Sequence, residues 1–145
     1  MNGRPKILAI DFDNTIVNVR KFPHIHSLRK GAKEYINKLY EQGYYIIIWT
    51  CRTDAGICYD NSDAVKFLNE NGIKFHIIND NHYALKNHFQ NNSRKISADI
   101  YIDDKGLWPF GLPSWRMLYW LIQWKARHLK HPVLHYCNEW DFYRY

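Results

Sequence analysis

Residues 7–17 read ILAIDFDNTIV: four apolar positions without a polar break, then two aspartates separated by one residue, then Asn14 and Thr15. An uninterrupted apolar run suits a strand buried on both faces, the kind found in a parallel sheet covered by helices. The aspartates then stand at its carboxyl end, where open α/β sheets bind their ligands. In extended chain Asp11 and Asp13 project to the same side, and Phe12 points into the core. Two carboxylates so close repel each other, and a divalent cation or a shared proton makes the arrangement tolerable. The plainer reading is a strand that runs into an Asx-type turn.

Working outward, residues 18–26 are basic and contain Pro23, which predicts a short surface loop. Ser27 is placed to cap a helix running to about Gln42, with Leu28, Tyr35, Ile36, Leu39 and Tyr40 on one stripe and Gly43 ending it. YYIIIWT, ending at Thr50, predicts a second buried strand. Residues 51–59 read as a polar loop, and a helix opens at Asp60 or Ser62 and stops at Gly72. A third strand is expected over roughly 74–79, ending in Asn79, Asp80, Asn81 and His82. A weakly signalled helix follows over 83–92, and a fourth strand over 98–102 ends in Asp103 and Asp104. This alternation predicts an α/β fold, a doubly wound, Rossmann-like parallel sheet flanked by helices.

From Leu112 the character changes. A helix from Pro113 and Ser114 to about Lys130 carries Trp115, Met117, Leu118, Tyr119, Trp120, Leu121, Ile122 and Trp124, apolar nearly all round in its first half. Such a helix is expected to be buried on every side, under this chain or against a partner, which makes a homo-oligomer through the Trp-rich helix one expectation. The tail is expected to add a strand around 133–136.

At 145 residues the chain is expected to form a single domain, with a core over about 6–113 and an aromatic-rich helix and tail over about 114–145. It has no apolar run of about 18 residues and no charged-then-apolar leader, so the expectation is a cytoplasmic protein without a membrane partner. Three cysteines, an odd count without C-x-x-C spacing, fit neither a disulfide framework nor a zinc site and point to free thiols. The formal charge of +6 favours an anionic partner: a phosphorylated small molecule, a nucleotide or, less favoured, a nucleic acid.

Parallel strands all end on one side, so Asp11 and Asp13, Thr50, Asn79 and Asp80, and Asp103 and Asp104 converge on one rim whatever the strand order. Four carboxylates need positive charge among them, and hard oxygen ligands suit Mg²⁺. A hydroxyl at Thr50 and a nearby lysine can then hold phosphate oxygens.

These residues resemble the haloacid dehalogenase superfamily of phosphohydrolases over about residues 6–113. Asp11, Asp13 and Thr15 look like its DxDx(T/V) motif, Thr50 in IIIWT like its second, and Asp103 and Asp104 in ADIYIDDKG like its fourth. The likeness is greatest to small hydrolase-like members without a cap domain, which share a WTCR-like second motif. Lys95 in SRKISADIYIDD matches the lysine such members carry before the last strand. In straight strand, Lys95 and Asp103 would lie about 25 Å apart, so the segment must fold back, and Lys86 is the alternative. Asn14 stands where many members have Gly, and it tolerates the left-handed backbone angles of the turn.

The resemblance implies a phosphatase. Asp11 would be the nucleophile, forming an aspartyl-phosphate, and Asp13 would move protons to the leaving group and from water. Asp11, the main-chain carbonyl of Asp13, and Asp103 or Asp104 would hold Mg²⁺. Thr50 and the lysine would stabilise the transferring phosphoryl group. Asn14, Thr15 and Arg52 are the candidates for contacting substrate, with an ion pair from Arg52 to Asp54 or Asp60 as the plainer role for that arginine. A receiver domain uses a similar set of residues in another order, with its phosphorylated aspartate after the third strand. A non-catalytic nucleotide or nucleic-acid binder on the same scaffold is the alternative function, although it has no need of facing acid pairs.

Overall fold

The computed structural model describes residues 4–52 and 61–137. In chain order the elements are β1 (Ile7–Ile10), β2 (Val17–Lys21), β3 (His24–Leu28), α1 (Ala32–Glu41), β4 (Tyr45–Ile48), α2 (Asn61–Glu70), β5 (Ile77–Ile78), α3 (Tyr83–Phe89), β6 (Ile100–Ile102), α4 (Trp115–His128) and a closing 3₁₀ turn (Val133–Tyr136). Among the described residues β5, β4, β1 and β6 form, in that order, one sheet whose pairings are all parallel. From β1 the chain steps outward to β4 and β5, then returns to the other side of β1 for β6. The direction of winding therefore reverses at β1, and a crevice opens beyond its carboxyl end.

The apolar run of β1 is buried throughout because both faces of the sheet are covered. Leu8 and Ile10 pack with Ile36 and Leu39 of α1, Ala64 and Leu68 of α2, and Trp115, Leu118 and Ile122 of α4. Ile7 and Ala9 pack on the opposite face with Ala84 and Leu85 of α3 and with Leu134 of the closing turn. Each fully buried Ile or Leu contributes about 2 kcal/mol. The sheet is thus held by its two faces.

The structure corrects several expectations. Residues 18–26 are not a loop: β2 and β3 form an antiparallel hairpin, closed at Phe22 and Pro23 through a cis peptide bond. Val17 is buried in the main core and Val19, Ile25 and Leu28 pack against it, so this small sheet is anchored by alternate residues. Ser27 belongs to β3, where its hydroxyl accepts a hydrogen bond from Asn18, and α1 starts later, at Ala32. Gly31 precedes α1 at φ +82°, and a Cβ there would press on Tyr35 and Trp115 at 3.3 and 3.4 Å.

The third strand is shorter than 74–79. The ring of His76 takes the Ile46 N–H at 3.0 Å, replacing a rung of the ladder, and Asn79 ends pairing at φ +51°. Residues 133–136 form a 3₁₀ turn instead of a strand, because Asp99 accepts hydrogen bonds from both Ile7 N and Val133 N at 2.6 Å and Arg4 donates to the Leu134 carbonyl. α4 is not buried all round: Trp115, Leu118, Ile122 and Ala126 form its buried stripe, and Trp120 and Trp124 face outward.

Cys51 is a free, exposed thiol, and the buried Cys137 thiol donates to the Ala84 carbonyl at 3.7 Å. Cys58, Asp54 and Asp60 lie outside the described residues. Among those described, no helix is long and apolar enough to cross a membrane.

Candidate active site

Asp11 is the first residue beyond β1, and its main-chain N–H donates to Ile102 O on β6 at 2.8 Å. That bond carries the pairing with β6 one residue past the end of β1 and brings the acids that follow the two strands together. One carboxylate oxygen from each of Asp11, Asp103 and Asp104 can be chosen so that all three lie within 4.8 Å of one another. Thr15 fixes this approach. Its buried hydroxyl donates to Asp11 Oδ2 at 2.9 Å and accepts from Asp104 N at 3.0 Å, tying the turn after β1 to the turn after β6. With its proton given to Asp11 and the Asp104 N–H accepted, the Thr15 hydroxyl positions the acids.

The turn itself is built from main-chain bonds. Ile16 N and Val17 N both donate to Phe12 O, Phe12 is fully buried, and Asn14 adopts φ +59° while its side-chain oxygen accepts from Val19 N at 2.9 Å. Asn14 thus joins the turn to the hairpin. The Thr15 carbonyl receives the indole N–H of Trp115 at 2.9 Å and faces Arg29, whose guanidinium also reaches the carbonyls of Leu112 and Pro113 at 3.1 Å. Burial lowers the pKa of Arg29, and the nearby charge of Asp104 opposes that shift. Sequence reasoning missed both Arg29 and Trp115, which lie far along the chain from the rim acids Asp11, Asp13, Asp103 and Asp104.

Burial raises the Asp11 carboxyl from 3.8 to about 7. The hydrogen bond from Thr15 acts against the shift, and the charges of Asp103 and Asp104 add to it. Positive charge at the cluster comes from Lys105, whose ammonium lies 3.1 Å from Asp104 and whose pKa that carboxylate raises. The main-chain N–H of Lys105 also donates to Asp103 Oδ1 at 2.8 Å. Lys105 stands directly after the acid pair, a position that could have flagged it in the sequence.

Asp13 is not part of this cluster. Arg52 holds its carboxylate with two bonds, Nη2 to Oδ1 at 2.6 Å and Nε to Oδ2 at 3.1 Å. The same guanidinium donates to Pro23 O at 2.8 Å and lies between the rings of Phe12 and Phe22, at 5.3 and 5.0 Å from their centroids. Arg52 is therefore fully buried. In place of the anionic substrate expected of it, Arg52 meets Asp13 and the hairpin tip and ties both to the second motif; the other acids considered for it, Asp54 and Asp60, lie outside the described residues. Its Nη1 has no hydrogen-bond partner among the described residues.

Thr50 lies just past β4, largely buried. Its N–H donates to Asn79 Oδ1 at 2.8 Å, and its hydroxyl accepts from Arg52 N at 3.2 Å, which leaves the hydroxyl proton available to an incoming acceptor. The Asn79 amide closes the loop on Arg52 O at 3.0 Å. Of the two lysines, Lys86 stands in the last turn of the short helix α3, paired at 2.6 Å with Asp80 just beyond β5, on the rim. Lys95 instead lies over the ring of Tyr101, 5.8 Å from its centroid. The Tyr101 hydroxyl bonds Ile96 O and Ala98 N, so that ring leans back toward the amino end of β6.

No protein-family profile matches the chain, and no curated protein matches it. A solved structure does: a conserved protein coded by a locus from Bacteroides thetaiotaomicron, at a TM-score of 0.69 and 30% sequence identity, covering 84% of this chain and 93% of that one.

Proposed function

We propose that the chain, which belongs to the same family as that conserved protein, is a magnesium-dependent phosphomonoester hydrolase of the haloacid dehalogenase type without a cap domain. The observation that carries the reading is the meeting of Asp11 with Asp103 and Asp104, acids from the turns after β1 and β6, within 4.8 Å at the point where the sheet reverses its winding. Their donor set is carboxylate oxygen alone, which fits Mg²⁺ and is unlike the thiolate and imidazole sets that select zinc. Bound there with the main-chain carbonyl of Asp13, Mg²⁺ would offset the crowded negative charge and draw electron density from the phosphate oxygens.

Asp11 Oδ attacks phosphorus, the bond to the leaving oxygen breaks, and an aspartyl-phosphate forms. Asp13, two residues on, takes up a proton from solvent by giving up one of its two bonds to Arg52, hands it to the leaving oxygen, and later takes one from the water that hydrolyses the intermediate. The free hydroxyl proton of Thr50 and the ammonium of Lys86, at the same rim, hold the equatorial oxygens as charge redistributes. Lys86 is preferred to Lys95 on its position beside Asp80. Asn14 shapes the turn that presents both aspartates. A phosphorylated small molecule or nucleotide is the expected substrate class.

Hydrolysis of p-nitrophenyl phosphate tests the reading. Turnover should require Mg²⁺, fall at least about a thousandfold in Asp11→Asn, and fall far more in Lys86→Ala than in Lys95→Ala. Activity unchanged in Asp11→Asn removes the nucleophile, and a larger loss at Lys95 returns the phosphate-holding role to that lysine.

A further inference from the structure

α4 has two apolar stripes. One, through Trp115, Leu118, Ile122 and Ala126, is buried against the sheet. The other is uncovered: Met117, Trp120, Leu121 and Trp124, spaced i, i+3, i+4, i+7, are 56%, 61%, 43% and 58% exposed. An exposed ridge of two tryptophans, a leucine and a methionine along one helix face marks a contact surface. The charges of the helix itself are all of one sign. α4 contains Arg116, Lys125, Arg127 and His128 and has no acidic residue. The acids of the neighbouring α1 do not neutralise it, because Glu34 is paired with Lys38 and Glu41 with Lys74.

We propose that this face of α4 docks on an anionic lipid surface, with the helix lying in the plane of the headgroups. Charge decides among the occupants. A second copy laid antiparallel across Trp120 and Leu121 would set Arg116 opposite Lys125, and a parallel copy would set Arg116 opposite Arg116; both oppose like charges. A nucleic acid answers the charge but stacks only on rings, and Met117 and Leu121 offer none. An anionic bilayer answers both features: basic side chains sit among the headgroups, Trp rings at the interface, and the aliphatic groups reach the acyl boundary. The helix lies on such a surface and does not span it.

Vesicle co-sedimentation of the full chain tests the proposal, with phosphatidylcholine alone and with phosphatidylcholine mixed with phosphatidylserine. Binding should require phosphatidylserine and weaken with added salt. It should fall about fivefold for each of Lys125→Gln and Arg127→Gln, and be lost in Trp120→Ser/Trp124→Ser. These residues are exposed, so circular dichroism and the thermal midpoint should match wild type, which separates lost docking from lost folding. No binding to either vesicle overturns the proposal, as does equal binding to both. So does a dimeric mass by light scattering that the double tryptophan variant converts to monomer, or retention of single-stranded RNA that depends on the two tryptophans.

Discussion

Thr15 holds the two halves of the acid cluster together with one hydroxyl group, donating to Asp11 and accepting from the main chain of Asp104. Thr15→Val keeps the shape and leaves both partners unsatisfied, so it should cost about 1–3 kcal/mol in urea unfolding and lower turnover at least about tenfold, while Thr15→Ser keeps most of both. Equal behaviour of the Val and Ser variants would show that the hydroxyl has no such role. Titration gives a second test. The Asp11 carboxyl is raised from 3.8 to about 7, so its stabilising contribution is full below 3.8 and is lost as pH rises through about 7, an effect of at most about 4 kcal/mol. His82 acts in reverse. Burial, with His76 beside it, lowers it from 6.5 to about 4, so its contribution is present above 6.5 and is lost as pH falls through about 4. In metal-free protein the two slopes oppose each other across much of this range. Asp11→Asn removes one of them, and its urea midpoint should fall more steeply on acidification than that of wild type. Parallel pH profiles for the two proteins would contradict the assignment. The acids at the strand ends were legible in the sequence because an apolar run that stops at an aspartate marks a rim. The pairing of Asp13 with Arg52 was not, because strand order and hairpin placement decide it and no spacing encodes either.

The β2–β3 hairpin is the element the sequence disguised. Basic residues and Pro23 suggested a loop, yet Val17, Val19 and Ile25 carry the alternation that a half-buried strand needs. Its attachment depends on Asn14, which supplies both a left-handed backbone angle and an acceptor for Val19 N. Asn14→Gly keeps the angle and loses the bond, so it should cost under about 1 kcal/mol; Asn14→Ala loses both and should cost about 2 kcal/mol by urea denaturation. The opposite order would mean that the turn does not hold the hairpin. α4 misled in another way. Counting apolar residues suggested burial on every side, whereas only one stripe meets the core. The physical reason is room: the face of the sheet that α4 covers is shared with α1 and α2.

At the scale of the whole molecule, the parallel sheet was legible because its two central strands are apolar without a break, as burial on both faces demands. The order β5-β4-β1-β6 was not, since the reversal at β1 comes from helices crossing to opposite faces. That reversal gives the rim its chemistry, placing acids that lie far apart in the chain within 4.8 Å of one another. Mg²⁺ titration by isothermal calorimetry tests this arrangement most directly. The account predicts saturable binding by wild type that is abolished in Asp11→Asn and strongly weakened in Asp103→Asn or Asp104→Asn, with all variants folded. Absence of binding to wild type, or equal binding by Asp11→Asn, would contradict it.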